Sequence, residues 1–254
     1  FDGVEANAIQ EWSFELSQLP EEPGRHWVYH EPSLLSDKHE LINRIENITP
    51  FHEGFRELAE CLENSVGQLF GEKAVLFKDK INFKMPGGDG FKPHQDSQAG
   101  WEDYASYFVN VMVSVDAATI ENGCLQVIPG SHRSQSLSHH RHNPSENLTL
   151  HEELVATEFD PANATNIVLE RGQISLHDVY LMHGSQPNVT DKNRRGMTMR
   201  MMPTTSHYDR AVAAEQDKAR SVRYGTKIKF SENPVLLMRG IDRCGKNEFH
   251  GHVT

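Results

Sequence analysis

Cysteine is scarce. Cys61, Cys124 and Cys244 are odd in number and far apart, which excludes a disulfide framework and a CxxC metal site. No run approaches the roughly 18 consecutive apolar residues of a membrane span, and no basic stretch followed by an apolar one opens the chain. The expectation is a cytoplasmic protein without a membrane partner. Positive charge is in deficit, with 25 Lys and Arg against 36 Asp and Glu and a net charge of −11. That balance argues against a broad grip on nucleic acid, so any bound anion must be held by a few local cations. Internal repeats and low-complexity tracts are absent as well.

What is present is 254 residues of mixed composition, enough to bury a core, and 15 histidines, a surplus that matters only where spacing supports a metal site. Apolar residues at helical steps predict helices over 5–19 and 51–70, the second stopped by Gly71. After Gly71 the pattern turns to short β-branched and aromatic runs at 74–83, 107–115, 125–128, 167–169 and 173–177, which predict strands. Turn clusters at 86–90, 121–123 and 129–131 are expected to reverse antiparallel strands. Helices followed by strands predict an α+β, mainly β fold, a barrel buttressed by helices.

His94-Gln95-Asp96 follows the glycine-rich turn. In a strand, residues two apart share a face, so imidazole and carboxylate can reach one ion together. His183 lies downstream after another strand-like run. Two imidazoles and one carboxylate on one side of an ion leave the other side open, as in non-haem Fe(II) oxygenases, whereas zinc prefers a more closed site. Arg194 follows His183 by eleven residues, and its planar guanidinium suits a bidentate clamp on one end of a dicarboxylate.

These residues, with the segment Glu121-Asn122-Gly123-Cys124-Leu125-Gln126-Val127-Ile128-Pro129-Gly130-Ser131-His132, resemble the phytanoyl-CoA dioxygenase family over about residues 75–202, and ectoine-hydroxylase-like members in particular. The resemblance implies a double-stranded β-helix (jelly-roll, cupin-like) core, Fe(II), 2-oxoglutarate and O2. It assigns His94, Asp96 and His183 to the metal, and Arg194 to the distal carboxylate of 2-oxoglutarate. Ser185, Asn82 and Met112 match positions near that cosubstrate. Retention of Asp96, where related halogenases have Gly or Ala, favours hydroxylation. From length, one dioxygenase domain over 1–254 is expected, with a helical buttress at 1–72, a jelly-roll core at 73–202 and a C-terminal extension at 203–254; the polar, aperiodic stretch at 134–165 is expected to be an insertion or lid, or equally a surface loop.

For the substrate, strand alternation places Arg200 on the face of Arg194, facing either an anionic substrate group or an internal Asp or Glu. Asn110 is a candidate hydrogen-bonding residue, open equally to backbone groups. Trp101, Tyr104, Tyr107, Trp27 and Tyr29 offer either a cage for an amine or half-buried packing. The substrate expected is a small zwitterion: an amino acid, betaine or aminophosphonate. An acyl-CoA or natural product, desaturated or cyclised by the same chemistry, is the alternative, and a non-catalytic metal- or ligand-binding β-helix protein the competing class. A monomer or homodimer is expected. The His139-His140-Arg141-His142 tract is expected to be a solvated loop, and residues 210–223 a surface helix, lid or subunit contact.

Overall fold

The computed structural model describes residues 1–21, 25–99, 107–142 and 152–206, with isolated positions between 211 and 237. Helix α1 (Gly3–Gln18) opens with a capping box: the Asp2 carboxylate accepts from Val4 N and Glu5 N while Glu5 reaches back to Asp2 N. Helix α2 (Glu53–Phe70) is capped by His52 Nδ1, which accepts from Phe55 N, and ends at Gly71 with φ 68°, a left-handed cap that a Cβ would strain. Among the described residues no helix is long and apolar enough to cross a membrane.

The strands are β1 (Trp27–Ser33), β2 (Ser36–Glu46), β3 (Ala74–Lys84), β4 (Phe91–His94), β5 (Val109–Ser114), β6 (Leu125–Val127), β7 (His140–His142), β8 (Glu152–Leu154), β9 (Thr165–Ile167), β10 (Ile174–Asp178), β11 (His183–Ser185), β12 (Arg194–Pro203) and β13 (Leu236–Leu237). The larger sheet runs β1-β2-β3-β12-β5-β10, with β13 also on β3, and the smaller runs β4-β11-β6-β9. From β3 onward the chain crosses repeatedly between the two sheets, which is the double-stranded β-helix expected. It also corrects the turns: those at 86–90 and 121–123 carry the chain from one sheet to the other, because β3 and β4, or β5 and β6, do not pair.

Two other expectations are revised. Residues 27–46, placed in a helical segment, form the antiparallel hairpin β1–β2 that extends the larger sheet. The positions of β2 that face the buried interior include Arg44 and Glu46, so no apolar alternation announces the strand. The tract at 139–142 contributes β7, paired with β8 and fastened by Arg141 Nε to Glu153 at 2.7 Å.

The core lies between the larger sheet and the helices. Met197, Met199 and Met201 of β12 pack with Val109, Val111 and Val113 of β5 and with Phe55, Leu58, Leu62 and Val66 of α2. The opposite face of β12 carries Arg194, Gly196, Thr198 and Arg200. The turn into β12 is tied by Arg195, whose Nε and Nη2 donate to Asp116 at 2.7 and 2.9 Å, while its backbone N–H reaches Asp116 Oδ2 at 2.9 Å. Both side chains are buried. Asp116→Ala leaves that guanidinium unpaired and is expected to lower stability by about 3–5 kcal/mol, measured by urea denaturation.

Candidate active site

Strand β11 pairs with β4 so that His183 lies opposite His94, which brings the two imidazoles to 4.3 Å between ring centroids. Asp96 follows β4 at the start of a 3₁₀ turn. Its Oδ1 is 3.8 Å from His94 Nε2 and its Oδ2 3.7 Å from His183 Nε2, and potential ligand atoms of the three residues lie within 4.8 Å of one another. The His94 and His183 Nδ1 atoms lie 2.7 and 2.8 Å from the carbonyls of Lys92 and Leu181. A carbonyl only accepts, so both Nδ1 atoms carry the proton and both Nε2 lone pairs face Asp96. No hydrogen bond engages either Nε2 among the described residues. Two imidazole nitrogens and one carboxylate converging from one side fit a divalent metal that keeps open positions.

The electrostatics agree. Burial first, then the neighbouring His183, pushes His94 down to about 3, so its imidazole is neutral and ready to ligate. Burial also lowers His183. For Asp96 burial is the largest single effect and opposes ionisation, yet Arg200, His183, His94 and Lys80 together outweigh it and hold the carboxyl well below its usual range.

Trp101 and Tyr104 lie outside the described residues, as does the 210–223 segment apart from isolated positions. Arg200 Nη2 donates to Asp96 Oδ1 at 2.5 Å and Asn110 Nδ2 to Asp96 Oδ2 at 2.7 Å, so both are occupied by the carboxylate. For Arg200 this is the internal ion pair that the sequence left open. Ser185 Oγ accepts from Lys84 Nζ at 2.6 Å and from Phe91 N at 3.3 Å. Asn82 sits opposite Gly196, its Oδ1 buried and without a hydrogen-bond partner. Met112 lies opposite Thr198 and packs on Leu125 and Val127. The Tyr29 ring is covered by the protein's own cation, Arg44, 4.3 Å from its centroid. Tyr107 stacks edge-on against Phe70 at the end of α2 rather than joining the triad.

The clearest contrast is between neighbouring arginines. Arg195 is saturated by Asp116, whereas the Arg194 guanidinium, 4% exposed, makes no hydrogen bond or salt bridge among the described residues. Directly opposite Arg194 stands Lys84, which sequence reading missed. Its ammonium donates to Ser185 Oγ, to Gln186 O at 2.6 Å and to Gly123 O at 3.1 Å, joining the larger sheet to the smaller. Burial first, then Arg194, pushes it down to about 6. A buried guanidinium with no hydrogen bond or salt bridge among the described residues, beside an amine whose charge an anion would stabilise, fits an anionic ligand such as a carboxylate. His177 was also missed: its ring lies 5.3 Å from that of His183, and burial, then His183, pushes it down to about 3. The terminal His of a predicted strand was the available signal. Gln95, fully buried, donates to Ser136 O and Tyr180 O and accepts from Ser138 N, which fastens the start of the 134–165 insertion to the motif.

Fold and site together define a non-haem iron dioxygenase that uses 2-oxoglutarate and O2. The chain belongs to the phytanoyl-CoA dioxygenase family: the profile described as "Phytanoyl-CoA dioxygenase (PhyH)" matches residues 5–196. It is 37% identical over 199 residues to "2-aminoethylphosphonate dioxygenase" from an uncultured bacterium, HF130_AEPn_1, covering 76% of this chain and 70% of that one. It is 32% identical over 195 residues to "Methylphosphonate hydroxylase" from Gimesia maris, covering 76% and 69%. Among solved structures, EctD from S. alaskensis with 2-oxoglutarate and 5-hydroxyectoine superposes with TM-score 0.63 at 21% identity, covering 82% of this chain and 71% of that one. This last likeness speaks to the fold.

The histidine shifts carry a sign. Between about pH 6.5 and 3 the unfolded chain binds protons that the folded His94 and His177 refuse, so stability falls as pH falls through that window. The metal-free protein is expected to lose about 1.4 kcal/mol per pH unit for each such histidine, read from urea midpoints at successive pH values. His177→Phe should give a shallower slope by about one proton.

Proposed function

We propose that the protein hydroxylates a C–H bond of a small phosphonate, of the aminophosphonate type, with 2-oxoglutarate and O2 as cosubstrates. The observation that carries this reading is a buried His-Asp-His triad with both Nε2 atoms free, set in an interior lined by cations although the chain as a whole is acidic. The two curated relatives described above carry phosphonate names, which favours a phosphonate over a carboxylate head or an acyl-CoA.

In this reading His94, Asp96 and His183 hold Fe(II). When bound, the iron supplies the oxidising chemistry that couples decarboxylation of 2-oxoglutarate to hydroxylation. The balance is substrate–H, 2-oxoglutarate and O2 giving substrate–OH, succinate and CO2. Arg194 takes the distal carboxylate of 2-oxoglutarate, and Lys84 fixes Ser185 beside it. Asn82 on β3 and Met112 on β5 flank the same stretch of β12 and are assigned to the same cosubstrate. Arg200 and Asn110 are positioning residues: they hold the Asp96 carboxylate by one oxygen each and so fix its orientation toward the metal.

The test is aerobic incubation with Fe(II), 2-oxoglutarate and either 2-aminoethylphosphonate or methylphosphonate, following succinate and product mass. Phosphonate-dependent succinate with a product heavier by one oxygen is expected, while a product lighter by two hydrogens, or none, overturns the reading. His94→Ala and His183→Ala should each abolish turnover and iron binding with the fold retained by circular dichroism, whereas Asp96→Ala should abolish both and also lower stability by about 3–5 kcal/mol, because it strands the Arg200 guanidinium. Arg194→Ala should raise the 2-oxoglutarate requirement about 10- to 100-fold, as loss of charge-assisted hydrogen bonds worth about 1.5–3 kcal/mol implies.

A further inference from the structure

The interior face of β3 carries Lys78, Lys80, Asn82 and Lys84 in alternation, and the register sets them opposite Arg200, Thr198, Gly196 and Arg194 of β12. Cations therefore form two groups, separated by about 13 Å of strand between Lys84 and Lys80. The first, Lys84 with Arg194, suits the distal carboxylate of 2-oxoglutarate. The second comprises Arg200, Lys78 and Lys80, joined from β2 by Arg44.

Most of the second group is accounted for internally. Glu46 takes Lys78 Nζ at 2.8 Å and Arg44 Nε at 3.0 Å, and Asp96 takes Arg200. Lys80 is left over: among the described residues its side-chain amine makes no hydrogen bond or salt bridge, and burial first, then the Arg200 and Arg44 guanidinia, hold it well below its ordinary range against the pull of Asp96 and Glu46. Directly across the strand pair, the Thr198 side chain is 6% exposed and its hydroxyl makes no hydrogen bond either. A buried amine short of a counter-charge and a hydroxyl, set opposite each other in the strand register near the metal ligands, call for an anion with several acceptor oxygens, which would also stabilise the protonated amine. One charge of 2-oxoglutarate is met at Arg194 and the other at the metal, so neither answers this pair.

We propose that Lys80, assisted by Thr198, is the specificity-determining seat for the doubly charged phosphonate head of the substrate. The proposal rests on the phosphonate reading above and adds to it the residues that choose the head group. A dianion with three oxygens satisfies the cation and the hydroxyl together, where a sulfonate brings a single charge.

The test is anaerobic titration of the Fe(II) and 2-oxoglutarate complex, reading the shift of its visible charge-transfer band without turnover. Wild-type protein is expected to bind 2-aminoethylphosphonate at least about tenfold more tightly than its sulfonate isostere, taurine. Lys80→Met should weaken the phosphonate at least about thirtyfold and leave the 2-oxoglutarate affinity within about threefold, while Lys80→Arg keeps most phosphonate binding. Unchanged phosphonate affinity in Lys80→Met, or a loss that falls on 2-oxoglutarate instead, overturns the assignment of Lys80 and leaves the phosphonate reading standing. Equal affinity of the wild type for phosphonate and sulfonate overturns it without recourse to a variant. A wild type that responds to no phosphonate overturns both readings.

Discussion

Everything in the site turns on one buried carboxylate. Asp96 lies against two imidazoles, accepts a guanidinium and an amide, and has an ammonium within electrostatic reach. Ionised and dehydrated, it would be costly alone, and the cations around it would be costly without it. The arrangement is stable only as a set, which couples the smaller sheet, the source of His94 and His183, to β12 and β5 of the larger one. Closing the two sheets on each other is thus the same act as assembling the ligands.

Strand alternation makes that possible. On β12, odd-numbered methionines fill the core under α2, and even-numbered positions present Arg194, Thr198 and Arg200 to the interior. The same strand is apolar on one side and strongly polar on the other, so the core anchors the site without sharing residues with it. Asp116 takes up the one arginine, Arg195, that alternation turns away from the interior. The jelly roll crosses between sheets rather than folding back in hairpins, so both open ends of the sandwich are lined by turns such as Gly123. Its φ is 77°, and a Cβ there would meet Gln186 O at 2.2 Å.

What was legible in the sequence follows from range and period. Helices α1 and α2 announce themselves because apolar positions recur on one helical face, and β3, β5, β6 and β10 because β-branched runs end at turns. The His-x-Asp pair is legible because two residues of strand separation is a local rule. The hairpin β1–β2 was not, since Arg44, Glu46 and Glu31 are buried and polar, against the usual pattern. The partners of Arg200 and Asn110 were not either: Asp96 is 104 residues from Arg200 in the chain, and only the assembled sheets bring them together. Lys80 and Lys84 were passed over because lysines two and four apart in a strand ordinarily mark a solvated face. Their one distinguishing sign was a matching row of arginines on β12.

That row bears on how net charge should be weighed. A total of −11 argues against broad anion binding, and it does so for the outer surface, where acidic side chains outnumber basic ones. The interior obeys different accounting, since a handful of lysines and arginines on two paired strands, offset in part by Asp96 and Glu46, sets its potential at a dielectric where each charge counts for more. An acidic exterior around a basic interior disfavours large polyanions more than small ones. On the phosphonate reading, size and charge would be selected by different parts of one molecule: the surface would act against bulky polyanionic ligands, and the paired faces of β3 and β12 would govern the anionic head brought to the triad.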